Sequence, residues 1–229
     1  MTTHLKDFSA PEDPVAGQKM THLFRHSSNI YRNYFKRLFD IAFVLLTAPI
    51  GLPLIALMAL IVARDGTSPF YWQPRVGRNG TVFRMLKIRT MVPNADARLK
   101  EYLEKNQDAR AEWESTHKLK DDPRITAAGN IMRKSSLDEL PQLWNVLCGD
   151  MSIIGPRPMM VDQKPLYPGS AYYALRPGIT GPWQVSDRNN CTFAERAKFD
   201  TEYSKNLSLK NDVKILFSTV AVVLKCTGY

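Results

Sequence analysis

The chain runs to 229 residues but holds only three cysteines, Cys148, Cys191 and Cys226, odd in number and far apart. They make no C-x-x-C pair and no disulfide framework, which points to a reducing compartment. Histidine is nearly as scarce: His4, His22, His26 and His117 are scattered, mostly near the start of the chain, so no zinc site is indicated. Acidic residues are outnumbered, 22 against 31 lysines and arginines, for a net charge of +9. That balance implies an anionic partner: a nucleic acid, an acidic membrane surface or a phosphorylated substrate. No recognised nucleic-acid-binding fold accompanies it. The basic residues gather instead around Pro/Gly loops and one apolar segment, which argues against nucleic acid. A chain of this length can bury one sizeable core, with an appended segment besides.

Residues 1–33 mix Pro, Ser, Thr, His and charges without apolar periodicity and read as a poorly ordered tail, touching a membrane late through Leu23, Phe24, Ile30 and Tyr31. They lack the form of a signal peptide, because the apolar run begins too late and lasts too long. Residues 34–64 carry that run. From Ile41 to Ala63 the only polar residue is Thr47, and the stretch is long enough to span a bilayer. Pro49 and Pro53 lie near its middle, each removing a helix hydrogen bond. Lys36 and Arg37 flank one end, and Arg64, Arg75 and Arg78 follow the other. Positive charge on both sides fits two cytoplasmic ends better than either orientation of a span. A helix that breaks, dips into one leaflet and returns satisfies both observations; an ordinary span kinked at proline is the alternative.

Within residues 65–229, Phe70-Tyr71-Trp72 and Thr81 to Met91 read as two strands around a turn at Gly77 to Gly80. Asp96 to Lys118 reads as a polar surface helix with Leu99, Leu103 and Trp113 as its apolar contacts. The densest pattern is Arg133-Lys134-Ser135-Ser136-Leu137-Asp138-Glu139-Leu140-Pro141-Gln142-Leu143-Trp144-Asn145-Val146-Leu147. Leu140, Leu143, Trp144 and Leu147 recur at i, i+3, i+4 and i+7, which predicts one buried helix face. Pro141 belongs in a first turn, so the helix is expected to begin near Asp138, with Ser136 and Glu139 forming a capping box. Two adjacent carboxylates then sit at the positive end of a helix, where phosphates also gather. Gly149-Asp150-Met151-Ser152-Ile153-Ile154-Gly155-Pro156-Arg157-Pro158 follows, with Arg157 fixed between prolines and suited to bidentate phosphate binding. A carboxylate nucleophile beside a rigid arginine suggests phosphoryl transfer. A last helix carries Val213, Leu216, Phe217, Val220 and Leu224, a stripe that suits either a membrane interface or a core.

Ser136-Leu137-Asp138-Glu139-Leu140-Pro141, Gly155-Pro156-Arg157-Pro158 and Arg176-Pro177-Gly178-Ile179-Thr180-Gly181 strongly resemble the bacterial sugar transferases, the monotopic polyprenyl-phosphate phosphoglycosyl transferases. The likeness runs from about Lys36 to Tyr229 and includes Gln73-x-Arg75-Val76-Gly77, Phe83-x-x-x-Lys87-Ile88-Arg89-Thr90-Met91, Asp121-Asp122-Pro123-Arg124-Ile125-Thr126 and Phe199-Asp200-x-x-Tyr203. It implies an α+β catalytic domain on the cytoplasmic face of a bacterial inner membrane, with a re-entrant helix broken at Ala48-Pro49. Many relatives carry serine where this chain has Ala48, and glycine where it has Asp187.

The resemblance also implies the reaction. Sugar 1-phosphate passes from a UDP-sugar to undecaprenyl phosphate, releasing UMP, as the first step of an exopolysaccharide repeat unit. Asp138 is the implied nucleophile. Glu139 holds Mg²⁺ with it or deprotonates the lipid phosphate. Arg157 and Arg176 are expected on the diphosphate, with Arg133, Lys87, Arg89 and Arg124 behind them. Galactose is favoured over glucose as the sugar. A homodimer stays open, and a non-catalytic membrane scaffold is the competing reading.

Overall fold

The computed structural model describes residues 30–116, 119–186 and 192–224. Leu23, Phe24, Asp187, Cys191 and Cys226 lie outside them, and the expectations attached to those residues with them. A π-helical turn, Tyr31–Phe35, leads straight into α1, Lys36–Val62. The fold mixes helices with two small sheets, as an α+β class requires. β1 (Phe70–Val76) and β2 (Val82–Ile88) form an antiparallel hairpin in the register Phe70↔Ile88 to Val76↔Val82. Asn79 at φ 59° and Gly80 at φ 75° turn the chain between them, the left-handed geometry that Asn and Gly tolerate best.

The expected surface helix is two helices. α2 (Ala95–Lys105) and α3 (Gln107–Thr116) meet at Asn106, whose backbone is extended. α4 (Ala127–Lys134) is capped by the Thr126 hydroxyl, which accepts from the Gly129 N–H. α5 is Gln142–Cys148, and β3 (Ser152–Ile154) pairs in parallel with β4 (Gly178–Thr180). Three short helices or turns close the chain: α6 (Pro182–Val185), α7 (Arg196–Lys205) and α8 (Leu209–Leu224).

The strand expectation therefore holds, but three helix expectations need correction. The capping box does not form. The Ser135 hydroxyl bonds back to the Ile131 and Met132 carbonyls, and Ser136 takes a left-handed conformation at φ 57°. Asp138 and Glu139 occupy a 3₁₀ turn, Leu137–Glu139, and α5 starts only after Pro141. The buried face of α5 is also rotated from the one expected: Leu140 and Leu143 do pack against buried residues, but Gln142, Asn145 and Val146 are buried, while Trp144 is 56% exposed and Leu147 is also exposed. Asn145 explains the rotation. Its amide accepts from Leu86 N and donates to Arg84 O, pairing with the β2 edge as a neighbouring strand would. Tyr31, expected at a membrane, is instead buried, with its hydroxyl donating to Asp212.

α1 is long and apolar enough to cross a membrane, and only 11% of its most apolar stretch is buried. It runs through Pro49 and Pro53 as one helix. Lys36, Asp40, Val44, Gly51, Met58 and Val62 line one stripe against the domain, and Leu45, Leu46, Ile50, Leu52, Leu57 and Leu60 face outward. Both ends are tied to the same body. Lys36 pairs with Asp212 at 2.7 Å near the start, and Met58 and Val62 pack with Ile88 and Met132 near the finish. On α8, Phe217 and Val220 are exposed while Leu216 packs against the main core, so its stripe is part surface and part core.

Candidate active site

The left-handed Ser136 reverses the chain out of α4, an uncommon conformation for a residue with a β-carbon and one that clusters at functional sites. The 3₁₀ turn that follows presents Asp138 and Glu139 to β2. Lys87, reaching inward from that strand, lies 2.7 Å from Glu139 Oε1 and 4.0 Å from Asp138 Oδ2.

These neighbours drive the two carboxyls apart. Asp138 is only 8% exposed. Burial pushes its pKa up to about 6, Glu139 adds to the rise, and Lys87 and Arg133 oppose it. Burial alone would raise Glu139 too, but Lys87, Arg157 and Arg75 outweigh it and hold that group below the usual carboxylate range. Adjacent carboxyls pushed in opposite directions commonly have different chemical roles. Glu139 is committed to Lys87. Asp138 accepts no side-chain hydrogen bond among the described residues, which leaves it the freer carboxyl.

The predicted cations divide. Lys87 and Arg133 do face the pair, and Arg133 Nε is steadied by Thr90 Oγ1 at 2.9 Å. Arg157 also acts on Glu139 and forms no ion pair. Three others do not come to the carboxylates. Arg89 grips Asp65 through two 2.8 Å bonds and fastens the end of α1. Arg124 is clamped on Asp122 at 2.6 and 2.8 Å and stacks 5.0 Å above Trp113. Arg176 donates to Gly149 O at 2.8 Å, where, with Arg37 on Val146 O and Leu147 O, it caps the negative end of α5.

Two arginines escaped the sequence reading as site residues. Arg75 lies on the inward parity of β1, donates to Gln73 Oε1 at 2.6 Å, and leaves its buried Nε without a partner. Its place beside the quoted Gln73-x-Arg75 motif was the available signal. Arg196 carried none. Together with Arg157 it brackets the Trp183 ring, at 4.2 and 5.5 Å from the centroid. Tyr167, Tyr172, Phe193 and Asp200 complete that small pocket. Burial and Arg157 bring Arg196 down to about 10, and burial lifts Asp200 to about 6. Trp183 Nε1 is buried and has no hydrogen-bond partner among the described residues, so a donor is left for a bound molecule.

Glycines explain why Arg157 can stand where it does. A β-carbon on Gly155 or Gly178 would collide with the facing backbone, so the Gly155-Pro156-Arg157-Pro158 and Arg176-Pro177-Gly178 segments pack main chain against main chain. Among the described residues, no group of three or more acidic, histidine or cysteine side chains gathers to cage a metal. Asp138 and Glu139 offer hard oxygens as a pair, which suits Mg²⁺ completing its shell with water and substrate phosphate.

The model of the bacterial sugar transferase family matches residues 31–226. The chain is 44% identical over 227 residues to the UDP-galactose-lipid carrier transferase of Erwinia amylovora, covering 94% of this chain and 48% of that protein. The undecaprenyl-phosphate galactose phosphotransferase of Salmonella typhimurium matches to the same extent, so the chain spans about half the length of these relatives. The exopolysaccharide production protein ExoY of Sinorhizobium fredii is 46% identical over 196 residues, covering 84% of this chain and 87% of its own length.

Proposed function

Because the chain belongs to the bacterial sugar transferases, we propose that it moves a sugar 1-phosphate from a UDP-sugar to undecaprenyl phosphate. The observation that carries this reading is the buried Asp138, which accepts no side-chain hydrogen bond among the described residues, beside the Lys87–Glu139 pair. An Asp138 oxygen attacks the phosphorus that bears the sugar. The bond from that phosphorus to the bridging oxygen breaks, UMP leaves, and an aspartyl phosphosugar remains. An oxygen of the lipid phosphate then attacks the same phosphorus and returns the Asp138 carboxylate.

Arg157, with Arg75 beside it, meets the donor diphosphate, and the Trp183–Arg196 pocket takes the nucleotide end. Lys87 and Arg133 offset the charge that builds near Asp138. Asp138 and Glu139 would hold Mg²⁺, which lowers repulsion between the carboxylate and the phosphates. Galactose is the favoured sugar, in line with the names of two relatives, and the product would begin an exopolysaccharide repeat unit.

The same reading places the protein on the cytoplasmic face of the inner membrane, with α1 re-entrant and bending at Ala48-Pro49. Support comes from its two ends being held by one body while its outward side chains are apolar. Trp144 and Leu147 on α5 and Phe217 on α8 extend the apolar surface. The test supplies purified protein in nanodiscs with Mg²⁺, undecaprenyl phosphate and a panel of UDP-sugars. UMP released from one donor, and lost in Asp138→Ala, is the expected result; no UMP from any donor would favour the scaffold.

A further inference from the structure

We infer that Asp40, on α1, is a positioning residue for Arg157 and acts through β3. The inference rests on Arg157 meeting the donor diphosphate, as proposed above. Asp40 is almost fully buried. Its Oδ1 accepts from the Ile153 N–H at 2.9 Å and from the Ser152 hydroxyl at 2.9 Å. It thereby fixes two of the three residues of β3 from the α1 side. The third is fixed by Tyr203, whose hydroxyl reaches Ile154 O at 3.2 Å and Asp212 Oδ1 at 2.6 Å. Lys36, one turn before Asp40, closes the circuit on Asp212 and on Tyr203, at 2.7 and 3.0 Å.

Little slack separates β3 from Arg157. Gly155 N donates to Thr180 O at 2.9 Å, and Pro156 O accepts from Gly178 N at 2.8 Å. Gly155 has no room to swing, and Pro156 has a fixed φ. A shift of Ile153 must therefore reach Arg157, whose own side chain has no hydrogen bond to any of the described residues. Asp40 Oδ2 is buried and unpartnered, so the residue contributes one accepting oxygen at a defined place rather than a saturated ion pair.

The asparagine variant separates that role from charge, because an amide oxygen keeps both accepted bonds. Wild type, Asp40→Ala, Asp40→Asn and Tyr203→Phe are compared in nanodiscs by UDP titration calorimetry, by the KM and kcat for the UDP-sugar, and by thermal unfolding. Asp40→Ala should weaken UDP binding and raise KM by roughly 10-fold or more, the scale of a small misplacement in a binding group. Asp40→Asn should stay within about threefold of wild type, and Tyr203→Phe should move the same way as alanine by less. Combined with Arg157→Ala, Asp40→Ala should add little, since both act on one contact. Unchanged UDP affinity in a folded Asp40→Ala, equal loss in the asparagine variant, or additive effects in the double variant would overturn the inference. A wild type that neither binds UDP nor releases UMP would overturn the donor reading, and this inference with it.

Discussion

Two sets of arginines, similar in burial, differ in what the protein gives them. Arg89, Arg124 and Arg176 have found partners inside the chain: Asp65, Asp122 and the carbonyl end of α5. Arg75, Arg157 and Arg196 form no ion pair among the described residues, and the Arg157 charge helps burial to lower the pKa of the other two. Gathering like charges costs free energy, and beside Glu139 and Trp183 the fold gathers three guanidinium groups without giving any of them an ion pair among the described residues. An arginine with a partner inside the chain is already engaged. One without is free to meet the donor phosphates of the proposed reaction.

The sharpest way to break this contrast begins at its centre. Asp138→Ala should reduce UMP release by at least about 10³-fold, the scale for removing a nucleophile, with the fold retained in near-UV circular dichroism. Next come the arginines themselves. Arg157→Ala and Arg75→Ala should each lower kcat/KM for the UDP-sugar by about 10²-fold with little change in Tm. Arg124→Ala should do the reverse. It orphans the buried Asp122, costs about 1–3 kcal/mol, lowers Tm by several degrees, and leaves KM close to wild type. Equal kinetic losses at Arg124 and Arg157 would dissolve the distinction.

How far the sequence reveals this arrangement depends on the kind of information each residue carries. The Asp138–Glu139 pair and the proline-locked Arg157 are legible because their local pattern is already costly, and the hairpin carrying Lys87 follows from its strand and turn residues. Tertiary partners are not local. Nothing in the spacing of Asp122 and Arg124 shows that they satisfy each other, and Arg196 meets Trp183 only because α6 and α7 fold together. The capping box failed because Ser135 bonds backward to α4 and Glu139 is drawn to Lys87. On α5 the period correctly marked an apolar face. Periodicity does not say how far round the helix burial extends, and here Leu140 and Leu143 face inward, Trp144 and Leu147 face outward, and Asn145 pairs with β2.

Smaller effects refine the account. The Asp138 pKa is raised on folding, so folding favours its protonated form. That contribution is present below the unfolded value near 3.8 and is lost as pH rises through about 6. Asp138→Asn should therefore be more stable than wild type at pH 8 and nearly equal to it at pH 4, by thermal unfolding. Wild-type kcat/KM should fall with a single protonation as pH drops through about 6, a limb that stability loss alone would not produce. Trp144→Asp should change the detergent-solubilised Tm least of all, because its ring is exposed, but should loosen retention in sodium-carbonate-washed membranes. Unaltered retention would place the apolar side of α5 away from the bilayer.

The most direct test of the central claim is the intact-protein mass after incubation with Mg²⁺ and the UDP-sugar, without lipid acceptor. The account predicts that a fraction of wild type gains the mass of one sugar phosphate, that Asp138→Asn gains none, and that undecaprenyl phosphate then discharges the adduct. UMP release at full rate without any adduct, or an adduct that persists in Asp138→Asn, would contradict it.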